Sequence, residues 1–214
     1  MPRSGAKTRE KILDSAQALI LSRGFGAATV DRVIESAGIT KGAFFYHFKS
    51  KADLALALME RYASMDEQLL FDMLAKAERL SRDPLQQILI LIGLFTEFLE
   101  GLDGPVPGCL IASFAYQRLE FDDRVNDRMK KSFLIYRETI GAKFAAAMKA
   151  VPPRIPVSPE DMADAFLSCF EGGFVMSMVL GEPRQATLQL THYRNYIEVL
   201  FLDVDDRREV GTAA

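Results

Sequence analysis

Residues Thr29–Lys51 read TVDRVIESAGITKGAFFYHFKSK, and this stretch decides the fold. Thr29 is a natural N-cap, because its hydroxyl can accept an orphan backbone N–H at a helix start. Val30, Val33, Ile34 and Ala37 then recur at helical spacing and make one apolar stripe. Gly38 follows where the chain must turn, and a positive φ costs only Gly nothing. Thr40 is a second N-cap, and Lys41 to Phe48 supplies about two helical turns at ~1.5 Å per residue. Two short helices around a tight turn form the helix-turn-helix pattern, whose second helix enters the major groove of DNA.

Outward from this stretch, nearly every segment predicts helix and no convincing strand is seen, so the class is all-α. Thr8 to Ser22 is amphipathic, with Ile12, Leu13, Ala16, Leu19 and Ile20 on one face and Gly24 as the C′ residue. Ser50 caps a long helix from Lys51 to about Leu80, carrying Leu54, Leu58, Tyr62, Met65, Leu69 and Met73. Its length predicts a connector between the DNA-binding end and the rest. Asp83-Pro84 starts the next helix, which breaks at Gly101. The stretch GLDGPVPG, 101–108, is dense in breakers. A short helix from Cys109 to about Leu119 follows, then a long one from Asp122 or Asp123 to about Ala150. Four prolines in 151–159 predict an exposed loop, and Ser158-Pro159-Glu160-Asp161 reads as a cap, a Pro at N1 and acidic residues at the positive helix end. Two helices, about 159–180 and 184–202, close the pattern, and the charged end predicts a frayed tail.

Charge is divided along the chain. Residues 1–59 hold nine Lys and Arg against five Asp and Glu, a net +4, and the remainder holds seventeen against twenty-four, a net −7. A basic end on an acidic body suits a protein that presents one face to nucleic acid. Cys109 and Cys169 belong to no CxxC pair and have no metal-like spacing to His47 or His192, so no metal or other cofactor is expected and a reduced, cytoplasmic setting is. The N-terminus lacks an apolar core, so no signal peptide is expected. The longest near-continuous apolar run, Ile88 to Phe95, has eight residues, against the ~20 of a membrane helix, and predicts a buried helix without a membrane partner.

The register of Gly24-Phe25, Thr29, Ala37-Gly38, Gly42, His47-Phe48, Ser50-Lys51 and Leu54 resembles the TetR family of bacterial transcriptional regulators, over about the first sixty residues. The resemblance implies a three-helix DNA-binding domain over 1–53, an effector-binding and dimerisation domain over 54–205, and a flexible tail over 206–214. It further implies that Thr29 meets phosphate, where a helix N-terminus offers free N–H groups. Lys41, Gly42 and Ala43 match base-facing positions: Lys41 can donate to guanine, and Ala43 can touch a thymine methyl. Thr40 caps that helix beside them. Tyr46, His47 and Lys51 match phosphate-contacting positions. The family usually has Tyr where this chain has Phe45, so that hydroxyl is gone or moved to Tyr46. Phe44, Phe45 and Phe48 cannot all be buried on one short helix. Phe48 is expected in the core, with Phe44 or Phe45 at the groove. Arg3, Lys7, Arg9 and Lys11 form a basic arm suited to phosphates.

The family is dimeric, with double-stranded DNA, a second copy of the chain and a small-molecule effector as partners. Phe166, Phe170, Gly173, Phe174 and Ser177 with Tyr193, Tyr196, Ile197 and Leu200 are the expected dimer contacts on the last two helices, against the alternative of an internal core. Expected effector contacts are Phe95, Phe98, Cys109, Phe114 and Tyr116, together with Phe133, Tyr136, Arg137, Phe170 and Phe174, with ordinary core as the competing role. Arg137 suits a ligand carboxylate, a pair with Glu171, or an outward position. The stretch PGCLIASFAY, 107–116, resembles a subgroup that includes acrylate-responsive regulators, which raises a thiol-reactive or small anionic effector. Two other functions compete. A DNA-binding protein without effector fits the same pattern. An all-α enzyme lacks any Ser/His/Asp order, Gly-rich phosphate loop or HExxH.

Overall fold

The computed structural model describes residues 2–102 and 108–201. Among them it has nine α-helices and no strand: α1 Pro2–Arg23, α2 Val30–Ala37, α3 Lys41–His47, α4 Lys51–Leu80, α5 Pro84–Glu100, α6 Leu110–Ala115, α7 Asp123–Ala150, α8 Pro159–Leu180 and α9 Gln185–Phe201, with a single 3-10 turn at Arg118–Glu120. The side chain of Arg3, most of the breaker-rich loop and the expected tail at 206–214 lie outside the described residues.

Local chemistry starts and stops these helices as the sequence implies. Thr29 accepts the Arg32 N–H at 3.3 Å, Thr40 accepts the Ala43 N–H at 3.2 Å, and Asp83 and Ser158 each accept an N–H three residues on, at 3.0 Å. Gly38, at φ 57°, turns its N–H back to the carbonyls of Glu35 and Ile34. The helix expected from Cys109 to Leu119 is shorter. It ends at Ala115, because Gln117 leaves helical geometry before the 3-10 turn.

The chain forms two compact units. The first comprises Met1–Glu67 and Pro107–Phe133. Its core holds Ile12, Leu13, Val33, Phe44, Phe48, Leu54, Leu58, Leu110, Phe114 and Val125. Arg61 of α4 ties down α1, donating to Glu10 at 3.0 Å, Asp14 at 2.7 Å and Gln17 at 2.9 Å. This compact unit extends beyond residue 53, since Leu54, Leu58, Met59 and the 110–129 segment complete the core under the helix-turn-helix. Met65, expected in the apolar stripe of α4, is exposed.

The second unit comprises Gln68–Val106 and Leu134–Ala214. Ile88, Leu91, Ile92 and Phe95 of α5 are buried with Tyr136, Ile140 and Phe144 of α7, Phe166 of α8, and Leu190, Tyr193 and Ile197 of α9. Ser177 fixes the join of α8 and α9: its Oγ accepts the Ala186 N–H at 3.2 Å and donates to the Pro183 carbonyl at 3.3 Å. α8 is long and apolar enough, by length and composition, to cross a membrane. The sequence run seemed shorter because Glu171 and two glycines interrupt it. Met162, Ala163, Phe166, Gly173 and Ser177 of α8 are nonetheless buried in protein.

Candidate nucleic-acid interface

α3 has two faces. Phe44 and Phe48 are buried, whereas Lys41 and Gly42 are exposed, Phe45 is 44% exposed and Tyr46 is 82% exposed. Of the two aromatic residues offered for the groove, Phe45 is the surface one and Phe44 belongs to the core. Ala43 and His47 are half-buried beside this face. Thr29 and Thr40, both exposed, commit their hydroxyls to caps, so each terminus presents oriented N–H groups rather than a bare hydroxyl. The site thus offers a cation, a glycine that lets backbone approach, an aromatic ring and a phenol along one short helix.

The basic arm is part of α1. Its start lies near α3, since a Cβ added at Gly5 would lie 3.8 Å from His47 Cε1. Arg9 stands over the Phe48 ring at 5.4 Å and pairs with Glu10 at 3.5 Å, so its charge is already shared within the protein. Lys51, at the start of α4, lies against the turn after α1. Its Nζ donates to the Phe25 carbonyl at 2.8 Å and sits 3.9 Å from the Phe25 ring centroid. Burial pulls its pKa down, with Glu120 acting in the opposite direction.

The expected effector residues fall into separate groups. Cys109, Phe114, Tyr116 and Phe133 belong to the first unit; Phe95, Phe98, Tyr136, Arg137, Phe170 and Phe174 belong to the second. Phe95, Phe114 and Tyr136 are core, and Tyr116, Phe98 and Phe133 are exposed. Phe114 stacks on Phe121 with centroids 4.5 Å apart. Cys109 caps α6, its sulfur accepting the Ala112 N–H at 3.5 Å, and Tyr62 hydrogen-bonds it. Arg137 pairs with Asp164 rather than Glu171, through two hydrogen bonds of 2.7 Å on the surface. An open groove of about 330 Å³ in the first unit is lined by Ala115, Arg118, Asn126, Asp127, Met129, Lys130 and Phe133.

The expected dimer contacts divide between the core of the second unit and its surface. Phe166, Gly173, Ser177, Tyr193, Ile197 and Leu200 are buried within their own unit, where α8 packs on α9. Phe170 and Phe174 are half-buried against that core, and Tyr196 is exposed. The other exposed apolar positions are Val175, Met176, Met178, Val179 and Leu180 on α8, and Leu188 and Val199 on α9. Apolar content identified these helices as packing elements, but each carries more than one apolar face. The sequence also gave no sign of Gln117, whose Oε1 accepts the Phe25 N–H at 3.2 Å.

Residues 12–58 match the family model described as "Bacterial regulatory proteins, tetR family". The chain is similar to the HTH-type transcriptional repressor NemR of Escherichia coli, with 27% identity over 58% of this chain and 60% of that protein, so this match spans less than two thirds of that relative. It is similar to the transcriptional repressor BepR of Brucella suis, with 28% identity over 83% of each chain. Among solved structures, a TetR transcriptional regulator from Chloroflexus aurantiacus superposes with TM-score 0.77 at 23% identity over 93% of this chain and 98% of that one. Reduced E. coli NemR superposes with TM-score 0.72 at 20% identity over 88% and 96%. The family match covers the segment in which the caps, the Gly38 turn and the two-faced α3 were found, and residues 12–58 carry the DNA-binding domain of the TetR family of bacterial regulatory proteins.

Proposed function

We propose that this protein is a cytoplasmic transcriptional repressor that binds a palindromic operator in double-stranded DNA as a homodimer and is released by a small apolar or anionic effector. The observation that carries the reading is α3, with Phe44 and Phe48 buried and Lys41, Phe45 and Tyr46 outward. Such a helix can lie in a major groove with its cation at base edges. Residues 1–53 hold the reading head and 54–205 serve effector binding and dimerisation. The repressor names of NemR and BepR support the sign of regulation.

Dimerisation is supported by the exposed face of α8 and α9. Val175, Met176 and Val179 recur at helical spacing on one, with Leu188 and Val199 on the other. Burying each such side chain is worth roughly 1.5–3 kcal/mol. A thiol-reactive effector acting on Cys109 is a narrower version of the same reading. Unchanged DNA release by acrylate-like compounds in Cys109→Ala would remove it.

A second reading, DNA binding without an effector, is favoured by one observation: Phe95, Phe114 and Tyr136 are fully engaged in cores. Titration of fluorescent duplex DNA with the protein, repeated with a panel of small carboxylates, aldehydes and apolar compounds, separates the two. Release by any member supports the effector, and release by none favours the second reading.

A further inference from the structure

We infer that Lys51 is a positioning residue for the reading head: together with Gln117 it latches the Gly24–Phe25 turn between α1 and α2. This inference rests on the DNA-binding reading above and refines it. Phe25 is the centre of the latch. Its carbonyl receives the Lys51 Nζ at 2.8 Å and also the Ala28 N–H at 3.1 Å. Its N–H is given to Gln117 Oε1 at 3.2 Å. Both polar groups of one backbone unit are therefore held by side chains 26 and 92 residues away in the chain.

The ring of Phe25 is held as firmly as its backbone. Phe121 lies 4.4 Å from it and Phe114 5.4 Å, and these two rings stack on each other. The Lys51 ammonium sits 3.9 Å from the Phe25 centroid, within the range of a cation–π contact. Gly24 precedes it at φ 79°, a backbone geometry that needs no Cβ.

The Lys51 ammonium gives one donor to the carbonyl and lies against the ring, and burial lowers its pKa. Lys41, by contrast, is exposed on α3. The turn that Lys51 holds leads directly into α2, whose Val33 and Ala37 are buried in the reading head. Removing the latch therefore loosens the placement of α2 and α3.

The test uses the full chain and a duplex selected from a randomised pool, titrated across a salt series. Lys41→Ala, Lys51→Gln, Gln117→Ala and the Lys51→Gln/Gln117→Ala double variant are compared with the parent. The latch predicts that Lys51→Gln binds roughly tenfold more weakly, in line with loss of a charge-assisted hydrogen bond, with the slope of log K against log salt unchanged. Gln117→Ala weakens binding in the same direction, and the double variant is little worse than the weaker single. Lys41→Ala, which removes a base-facing cation, weakens binding and relaxes sequence preference. A slope lowered by ~0.9 in Lys51→Gln, with Gln117→Ala silent, overturns the inference and makes Lys51 a phosphate ligand. Amide exchange in the DNA-free protein decides the latch independently. Gln117→Ala should speed exchange at Phe25, whose N–H it holds, and leave Ala16 and Ile20 unchanged. Unchanged exchange at Phe25 overturns the latch whether or not DNA binds. A parent protein that binds no duplex sequence-specifically overturns the DNA reading instead.

Discussion

The rings of Phe44 and Phe45 stand edge-on with centroids 5.3 Å apart, yet Phe44 is wholly buried and Phe45 is 44% exposed. Neighbours on a helix diverge by about 100°, so one ring closes the core of the first unit and the other faces solvent. Phe44→Ala should cost about 3–5 kcal/mol of stability. Phe45→Ala should change stability by less than about 1 kcal/mol, as expected of a surface position, and weaken DNA binding several-fold. Denaturant unfolding and DNA titration of both variants check the division. Equal loss of stability in the two would contradict it.

Two glycines should respond in opposite senses. A Cβ at Gly173 would come within 2.6 Å of Ala186 Cα, which is backbone and cannot step aside cheaply. Gly173→Ala should therefore destabilise by about 1–3 kcal/mol. Gly93, within α5, has open space around an added Cβ. Gly93→Ala should stabilise by about 0.5–1 kcal/mol, since Gly costs helix propensity. Thermal unfolding of the pair reads both signs.

Glu67 accepts hydrogen bonds from Arg128 at 2.7 Å and Ser132 at 2.8 Å. Burial pushes its pKa up, but these two bonds and the charges of Arg128 and Lys131 outweigh that and hold it below the ordinary value. A carboxylate with a depressed folded-state pKa contributes stability that is complete above its unfolded value of about 4.3. The contribution fades as pH falls from there through the lower folded-state value. Glu67→Gln should flatten the stability profile in that acidic window and leave its shape near neutrality unchanged. A profile identical to the parent's below pH ~4.3 would count against the network.

Val179 is 76% exposed near the end of α8. A charge there should block burial against a second copy, because an unpaired ion loses its hydration on burial. Val179→Glu should shift the protein from dimer to monomer in sedimentation, with helicity retained, and weaken operator binding. A dimer of undiminished strength would place the interface elsewhere.

The parts legible in the sequence are those decided within a few residues. Thr29, Thr40, Asp83 and Ser158 cap the helices they precede, and Gly38 makes its left-handed turn, because capping and positive φ are local effects. The buried face of α2 followed from spacing alone.

What spacing could not supply was which faces meet. By spacing alone Phe166, Tyr193 and Ile197 suit either a second copy or an internal core, and α8 and α9, apolar on more than one side, bury them within one unit. The sequence leaves Arg137 a ligand carboxylate, Glu171 or an outward position, and it faces outward to pair with Asp164, since the rotation of α7 against α8 is a tertiary quantity. Cys109 and Phe114 were grouped with Phe95 and Phe170, whereas the segment after residue 107 packs with the N-terminal helices. Lys51 was the hardest, because a Lys at a helix start has no sequence signal that separates a phosphate from the Phe25 carbonyl.

The central claim is that α3 reads DNA, and the most direct measurement is binding of the purified protein to DNA upstream of its own coding sequence, footprinted and titrated across salt. The account predicts a saturable, palindromic footprint and a steep fall of log K with log salt, at ~0.9 per neutralised phosphate, with Lys41→Ala both weakening binding and relaxing sequence preference. Sequence-indifferent binding, or binding that Lys41→Ala and Phe45→Ala leave untouched, would contradict it.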